Sequence, residues 1–317
     1  MTYKKNRLIA AVFILFFELV IVASCMKTPE IDKEYVENTY DVLIASSVID
    51  IKTTRIPFVI IGSRGEYLKP DLTHVRLRHK SSSTAKLVEQ TNLVPKYYSI
   101  VVTEDHIHRD GEIHVHENDL GIYVLNVEEL NYPGEWQLEL TVRNLEGQGK
   151  IREIQTTFLA SEEVTFLPVG SRVPLMSNRT LGEGFALEEL STHPNPDPAM
   201  YTMTVEKAIN KNRPSVVIFS TPAYCQSKVC GPVLDIVMSV KNLYESEIDF
   251  IHVEPFDLQA LIDSGDFLLS PPAREWGLPS EPWVIIVDRY GKVVAKFEGI
   301  ISRTELIEVC DTILDSK

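Results

Sequence analysis

Two cysteines five positions apart, Cys225 and Cys230, are the residues of this 317-residue chain best placed to do chemistry. A thiolate is a nucleophile and a metal ligand, and two thiols within reach of each other can exchange an electron pair with a disulfide. The pair spans a change of local pattern. Pro214-Ser215-Val216-Val217-Ile218-Phe219-Ser220 ahead of it is a buried-strand run. Gly231-Pro232 behind it opens a helical run, because Pro is favourable at a first helical position. A strand-to-helix turn offers backbone N–H groups and the positive end of the helix dipole, and both stabilise a thiolate. On a regular helix, residues five apart point about 140° away from each other. Cys225 must therefore sit in the loop and fold back if the two are to bond within the roughly 7 Å Cα separation that a disulfide allows.

The surrounding elements alternate. Residues 204–211 have helical composition, and residues 232–244 place Val233, Ile236, Val237 and Val240 on one stripe. Residues 248–253 and 282–287 are further strand runs. Asp288-Arg289-Tyr290-Gly291-Lys292 is a turn into residues 293–297, and Ser302-Arg303-Thr304-Glu305 is a capping box opening a terminal helix. This order predicts an α/β sheet covered on both faces. Within it, Thr221-Pro222-Ala223-Tyr224-Cys225 and the helix start Cys230-Gly231-Pro232 resemble the active-site turn of thioredoxin-like proteins. Leu278-Pro279-Ser280-Glu281-Pro282-Trp283 resembles the segment holding that family's cis-proline, and residues 288–297 resemble its final hairpin. The resemblance covers roughly residues 203–317. It implies that Pro282 is cis and faces the cysteines, and that the backbone of Glu281 and Pro282 pairs with a substrate chain. It also implies that Cys225 is the attacking thiol and Cys230 the resolving one.

The family's usual spacing is Cys-x2-Cys, and here it is Cys-x4-Cys; the chain is similar in this to membrane-anchored bacterial thioredoxin-like proteins with a β-rich N-terminal module. Two other readings of the pair stand beside disulfide exchange: a structural disulfide, and a copper site, since thiolates suit Cu(I). Thioredoxin-like copper-assembly factors have Cys-x3-Cys and a later His. His252 follows the pair too closely for that pattern and reads as a partly buried strand residue. A peroxiredoxin is disfavoured because Pro222 stands where that family has Thr or Ser. Cys310 shares an apolar face with Leu306 and Ile313 and reads as a buried free thiol. Asp235, one turn into the helix, is either a proton shuttle or a solvated surface residue.

The N-terminus reads as an address. Lys4, Lys5 and Arg7 precede an apolar run over residues 8–24, interrupted by Glu18, and Val22-Ala23-Ser24-Cys25 follows. This is the pattern of a signal peptide, and its last four residues resemble the bacterial lipobox, whose cysteine is lipidated and becomes the new N-terminus. An uncleaved anchor helix is the alternative, with a marginal length for a roughly 30 Å core and a glutamate inside it. Either one leaves the rest of the chain on the extracytoplasmic side, where disulfides persist.

Residues 26–39 read as a polar tether. Residues 40–161 offer strand runs at 57–61, 73–78, 98–103, 122–127, 134–142 and 151–159, with Trp136, Leu138, Leu140 and Val142 on one face. That spacing predicts an antiparallel β-sandwich. Tyr132-Pro133-Gly134-Glu135-Trp136 resembles a late strand of small immunoglobulin-like modules. Residues 162–200, containing His193-Pro194-Asn195-Pro196-Asp197-Pro198, read as a linker. His106, His108, His114 and His116 flank Asp110-Gly111. A three-residue loop would set His106 opposite His114 with all four on one face, and a two-residue turn would split them. They form either a metal cluster or a solvated hairpin.

The formal net charge is −14, with no basic cluster beyond the first seven residues, which argues against a nucleic-acid partner. The sequence thus predicts two domains behind a 1–25 leader. The first, 40–161, is an all-β immunoglobulin-like sandwich, and the second, 201–317, is an α/β thioredoxin-like fold. The protein is expected to be lipid-anchored through Cys25 on the extracytoplasmic face of the cell membrane. There it would exchange disulfides with protein thiols through Cys225 and Cys230, with no cofactor and no resident metal.

Overall fold

Alternating burial decides the N-terminal architecture. The computed structural model describes residues 40–80, 88–99, 101–107, 113–119, 121–143, 151–164, 166–225 and 228–315. The expected leader with Cys25, the tether and His108 lie outside these residues. Among them, no helix is long and apolar enough to cross a membrane. The first strands are β1 (Asp41–Ile44), β2 (Arg55–Ile61), β3 (Tyr67–Leu68), β4 (Asp71–His79), β5 (Glu89–Gln90) and β6 (Lys96–Tyr98). Then follow β7 (Val101–Ile107), β8 (Ile113–Asp119), β9 (Ile122–Asn126), β10 (Gly134–Arg143) and β11 (Ile151–Ala160). One sheet has the order β1-β2-β9-β6 with β3 on β2, a second has the order β11-β10-β4-β5, and β7 pairs only with β8. Ile56, Phe58 and Leu125 of the first sheet share a core with Leu77, Trp136, Leu138 and Val142 of the second. The expected strand over residues 98–103 is instead divided between β6 and β7. The second part pairs with its immediate successor β8, the contact that closes the shortest loop. In that ribbon His106 lies opposite His114.

The second half carries α1 (Val205–Asn210), β12 (Ser215–Phe219), α2 (Cys230–Tyr244), β13 (Asp249–Val253), α3 (Leu258–Ser264) and α4 (Pro271–Trp276). It closes with β14 (Trp283–Val287), β15 (Val293–Glu298) and α5 (Arg303–Asp315). The sheet order is β13-β12-β14-β15. β12 and β13 are parallel, β14 is antiparallel to β12, and β15 is antiparallel to β14. Residues of β12, β13 and β14 are buried on both faces, as a sheet between helices requires. Val216, Ile218, Val284 and Ile286 face α2 and α5. Val217, Phe219, Ile285 and Val287 face α1 and α4. The capping box forms as expected, with Glu305 N donating to Ser302 Oγ (3.1 Å) and Ser302 N donating to Glu305 Oε2 (3.0 Å).

The Pro-rich segment 162–200 packs on the sheet rather than spanning open solvent. Phe166, Leu167, Val173 and Met176 enter one core, and Leu190 and Met200 enter the other. Its prolines forbid regular structure without preventing burial of the apolar side chains between them.

Residues 40–317 form one compact unit, and polar clasps join its halves. Arg55 of β2 donates from Nε to Glu305 Oε1 at 2.8 Å and from one terminal nitrogen to the Ile300 carbonyl at 3.0 Å. The buried Glu298 accepts from Ser46 Oγ, Ser47 N, Ser47 Oγ, Val48 N and Ser280 Oγ. Val59 and Ile122 pack with Ile300, Val229 and Ile236. Removing one member of a largely desolvated ion pair strands the other. Arg55→Met should therefore cost about 3 kcal/mol in urea unfolding, and Arg55→Met/Glu305→Gln should recover part of that loss. An undiminished midpoint in the single variant would show the clasp to be energetically idle.

Candidate active site

Five buried strand residues end at Phe219, and the chain then turns through Ser220–Tyr224 before the helix begins. Tyr224 N donates to the Thr221 carbonyl at 3.2 Å and Lys228 N to the Cys225 carbonyl at 3.3 Å, which curls the loop back on the helix start. Cys225 and Cys230 form a disulfide with a Cα–Cα separation of 6.0 Å. Cys225 is half-buried in the loop, and Cys230 is fully buried. The helix begins at Cys230 itself, so Pro232 is its third residue rather than its first. No hydrogen bond is lost by this, because the first four N–H groups of a helix have no intrahelical acceptor.

The Glu281–Pro282 peptide is cis, as the resemblance implies. A carboxylate oxygen of Glu281 and the two sulfurs lie within 4.8 Å of one another. A second glutamate, Glu254, is buried directly after β13. Its Oε1 accepts from Thr192 N at 2.6 Å and Thr192 Oγ1 at 2.9 Å, and Thr192 Oγ1 in turn accepts from Ala223 N at 3.2 Å. The segment 162–200 is thereby tied to the cysteine loop. Glu254 Oε2, Glu281 Oε2 and Thr221 Oγ1 are buried without a well-formed partner. Thr221 is near enough to both carboxyls to lower their pKa, but burial outweighs it and pushes each up to about 7.

Around this acid pair the polar groups are closed. His252 is fully buried rather than partly: Nδ1 accepts from Tyr201 Oη at 2.6 Å, and Nε2 donates to the Ser220 carbonyl at 2.9 Å. Desolvation drops its pKa to about 4, so it stays neutral and has no nitrogen left for a metal. Asp235 is exposed on α2, as the solvated reading expects, and its Oδ1 binds His193 Nε2 at 3.1 Å, which raises the His193 pKa. Cys310 is buried on α5, and desolvation pushes its thiol up to about 12. Glu254 and Thr192 were not singled out from the sequence, and Thr221 entered only as part of the turn motif before Cys225. A legible signal for Glu254 existed: a charged residue at the carboxyl end of a parallel strand, where α/β sheets place their binding groups.

The two raised carboxyls set a pH dependence. Relative to the unfolded chain, the folded state holds extra protons between pH 4.5 and about 7. The stability they contribute is full below that window and is lost as pH rises through it. Glu254→Gln should flatten the decline of the oxidised protein, by roughly 3 kcal/mol across the window, in urea unfolding at stepped pH. A slope equal to the parent's would show that Glu254 ionises normally.

No family model matches the chain, and no curated protein matches it. Among the solved structures that resemble it are two from Bacteroides. The solution structure of a thiol:disulfide interchange protein from Bacteroides sp. is 17% identical, covering 48% of this chain and 93% of its own, with a TM-score of 0.32. The C-terminal domain of a candidate thiol-disulfide oxidoreductase from Bacteroides thetaiotaomicron is 14% identical, covering 47% and 98%, with a TM-score of 0.29. The fold assignment rests on this chain's own features: the sheet order, the disulfide at the start of α2 and the cis-proline before β14. By these, the C-terminal region is thioredoxin-like.

Proposed function

We propose that the protein is an extracytoplasmic, membrane-anchored thiol-disulfide oxidoreductase working through Cys225 and Cys230. The observation that carries this reading is the asymmetry of the pair: a half-buried sulfur in a loop beside a fully buried one at a helix start, with a carboxyl of pKa about 7 next to both. In the reducing direction the Cys225 thiolate attacks a substrate disulfide, and one substrate sulfur leaves as a thiolate. The Cys230 thiol passes its proton to Glu281, attacks Cys225 Sγ and releases the second substrate sulfur. Two electrons move to the substrate, the disulfide re-forms here, and an external dithiol must reduce it again. A group titrating near neutral pH can both take and return that proton. The backbone of Glu281 and Pro282 is the surface against which the substrate chain lies.

The N-terminal part is read as an immunoglobulin-like module of residues 40–161 joined through 162–200 to the redox module. The copper reading loses support, since both ring nitrogens of His252 are engaged.

The test is trapping. Cys230→Ser should accumulate mixed disulfides with extracytoplasmic proteins through Cys225, while Cys225→Ser traps none and Cys310→Ser behaves like the parent. If neither active-site variant traps a partner and the reduced parent fails to reduce a model disulfide, the bridge is structural. Anchoring is checked separately: the mature protein should begin at a lipidated Cys25 by mass spectrometry, and Cys25→Ala should leave the leader uncleaved. An intact N-terminus with unmodified Cys25 in the parent would refute the lipid anchor.

A further inference from the structure

Two sulfurs and a carboxylate gathered at one point can do more than exchange electrons. Cys225 Sγ, Cys230 Sγ and a Glu281 oxygen lie within 4.8 Å of one another, and among the described residues no other group of three metal-ligating side chains gathers this closely. Around a tetrahedral zinc ion, with bonds of about 2.3 Å to sulfur and 2.0–2.2 Å to oxygen, such ligand atoms stand about 3.5–3.8 Å apart. Once the S–S bond is reduced, side-chain rotation brings these three to that spacing. The backbone suits the same end: Cys-x4-Cys falls within the ligand spacing of zinc sites, and the Cα atoms are 6.0 Å apart. Glu281 Oε2 is buried without a partner, so the carboxyl has lone pairs to spare. Two soft sulfurs with one hard oxygen suit a borderline divalent ion better than Cu(I), which prefers sulfur alone.

We propose that the reduced protein binds one zinc-class divalent cation through Cys225, Cys230 and Glu281, with a fourth position left open. Each thiol gives up its proton as its metal–sulfur bond forms, and no oxidation state changes. Disulfide and metal are then mutually exclusive occupants of the same two sulfurs, so a bound cation would shield the dithiol from oxidation. The proposal rests on the redox reading in one respect: the pair must be reducible in the folded protein.

Cobalt(II) is the probe, because thiolate coordination gives it intense charge-transfer absorption. Full-length protein carrying Cys25→Ser is reduced, and its thiols are counted before titration. The reduced form should bind one cobalt with a two-thiolate spectrum, zinc should displace it, and the oxidised form should bind none. Glu281→Gln should weaken binding at least about tenfold, since even outer-shell losses cost that much. Reduced and oxidised protein taking up cobalt equally, or the reduced form taking up none, would overturn the site without touching the redox reading. So would equal affinity in Glu281→Gln, which would leave only a two-sulfur site. Because the comparison of redox states does not use Glu281→Gln, poor folding of that variant cannot blunt the test. Failure to gain the two thiols on reduction of the folded protein would overturn both proposals together.

Discussion

Glu298 is the anion on which the arrangement turns. A buried carboxylate is costly unless donors replace its water, and this one accepts five hydrogen bonds at the end of β15. Four come from residues 46–48 of the N-terminal part and one from Ser280. Ser280 Oγ also accepts from Trp283 Nε1 at 2.9 Å. The two residues between Ser280 and Trp283 are Glu281 and Pro282, so the segment facing the disulfide is held at both ends by a network that reaches into the β-module. Val229, next to Cys230, is packed against Val59 and Ile122 of the same module. The N-terminal sheets thus help set the distance between the carboxyl and the sulfurs.

The site itself combines two opposed demands. The cysteine loop must stay accessible, while the groups beneath it must be dry enough to hold a proton near neutral pH. Thr192 reconciles them by occupying one oxygen of Glu254 and also the backbone of the loop through Ala223. The other oxygen is left unpaired in a buried position, and the energetic cost appears as the raised pKa.

Much of this was legible in the sequence because the signals were local. The alternation of Trp136, Leu138, Leu140 and Val142, the capping box at Ser302 and Glu305, and the strand–cysteine–helix order each depend on neighbours within a few residues. What was illegible depends on distant partners. The polarity of residues 162–200 suggested a linker, yet single apolar residues spaced among its prolines fill two cores, and spacing so irregular has no period to read. The short helices α3 and α4 are only 7 and 6 residues long, too brief for a 3.6-residue pattern to declare itself. At the site, the cysteines and the cis-proline were legible by type and order. Glu254 acquires its meaning only when β13 lies beside β12 and the segment before α1 folds over it.

Glu305 has two attachments. Its carboxylate caps the first turn of α5 through Ser302 and also receives Arg55 from β2. The start of the last helix of the C-terminal fold is therefore completed by a side chain more than two hundred residues earlier. Modular transplantation would fail here in a specific way. A C-terminal half grafted onto a foreign partner would retain its cysteines and sheet but would carry two acids, Glu298 and Glu305, stripped of most of their donors on the face where its original companion sat. The halves have become joint tenants of one interior rather than interchangeable cassettes.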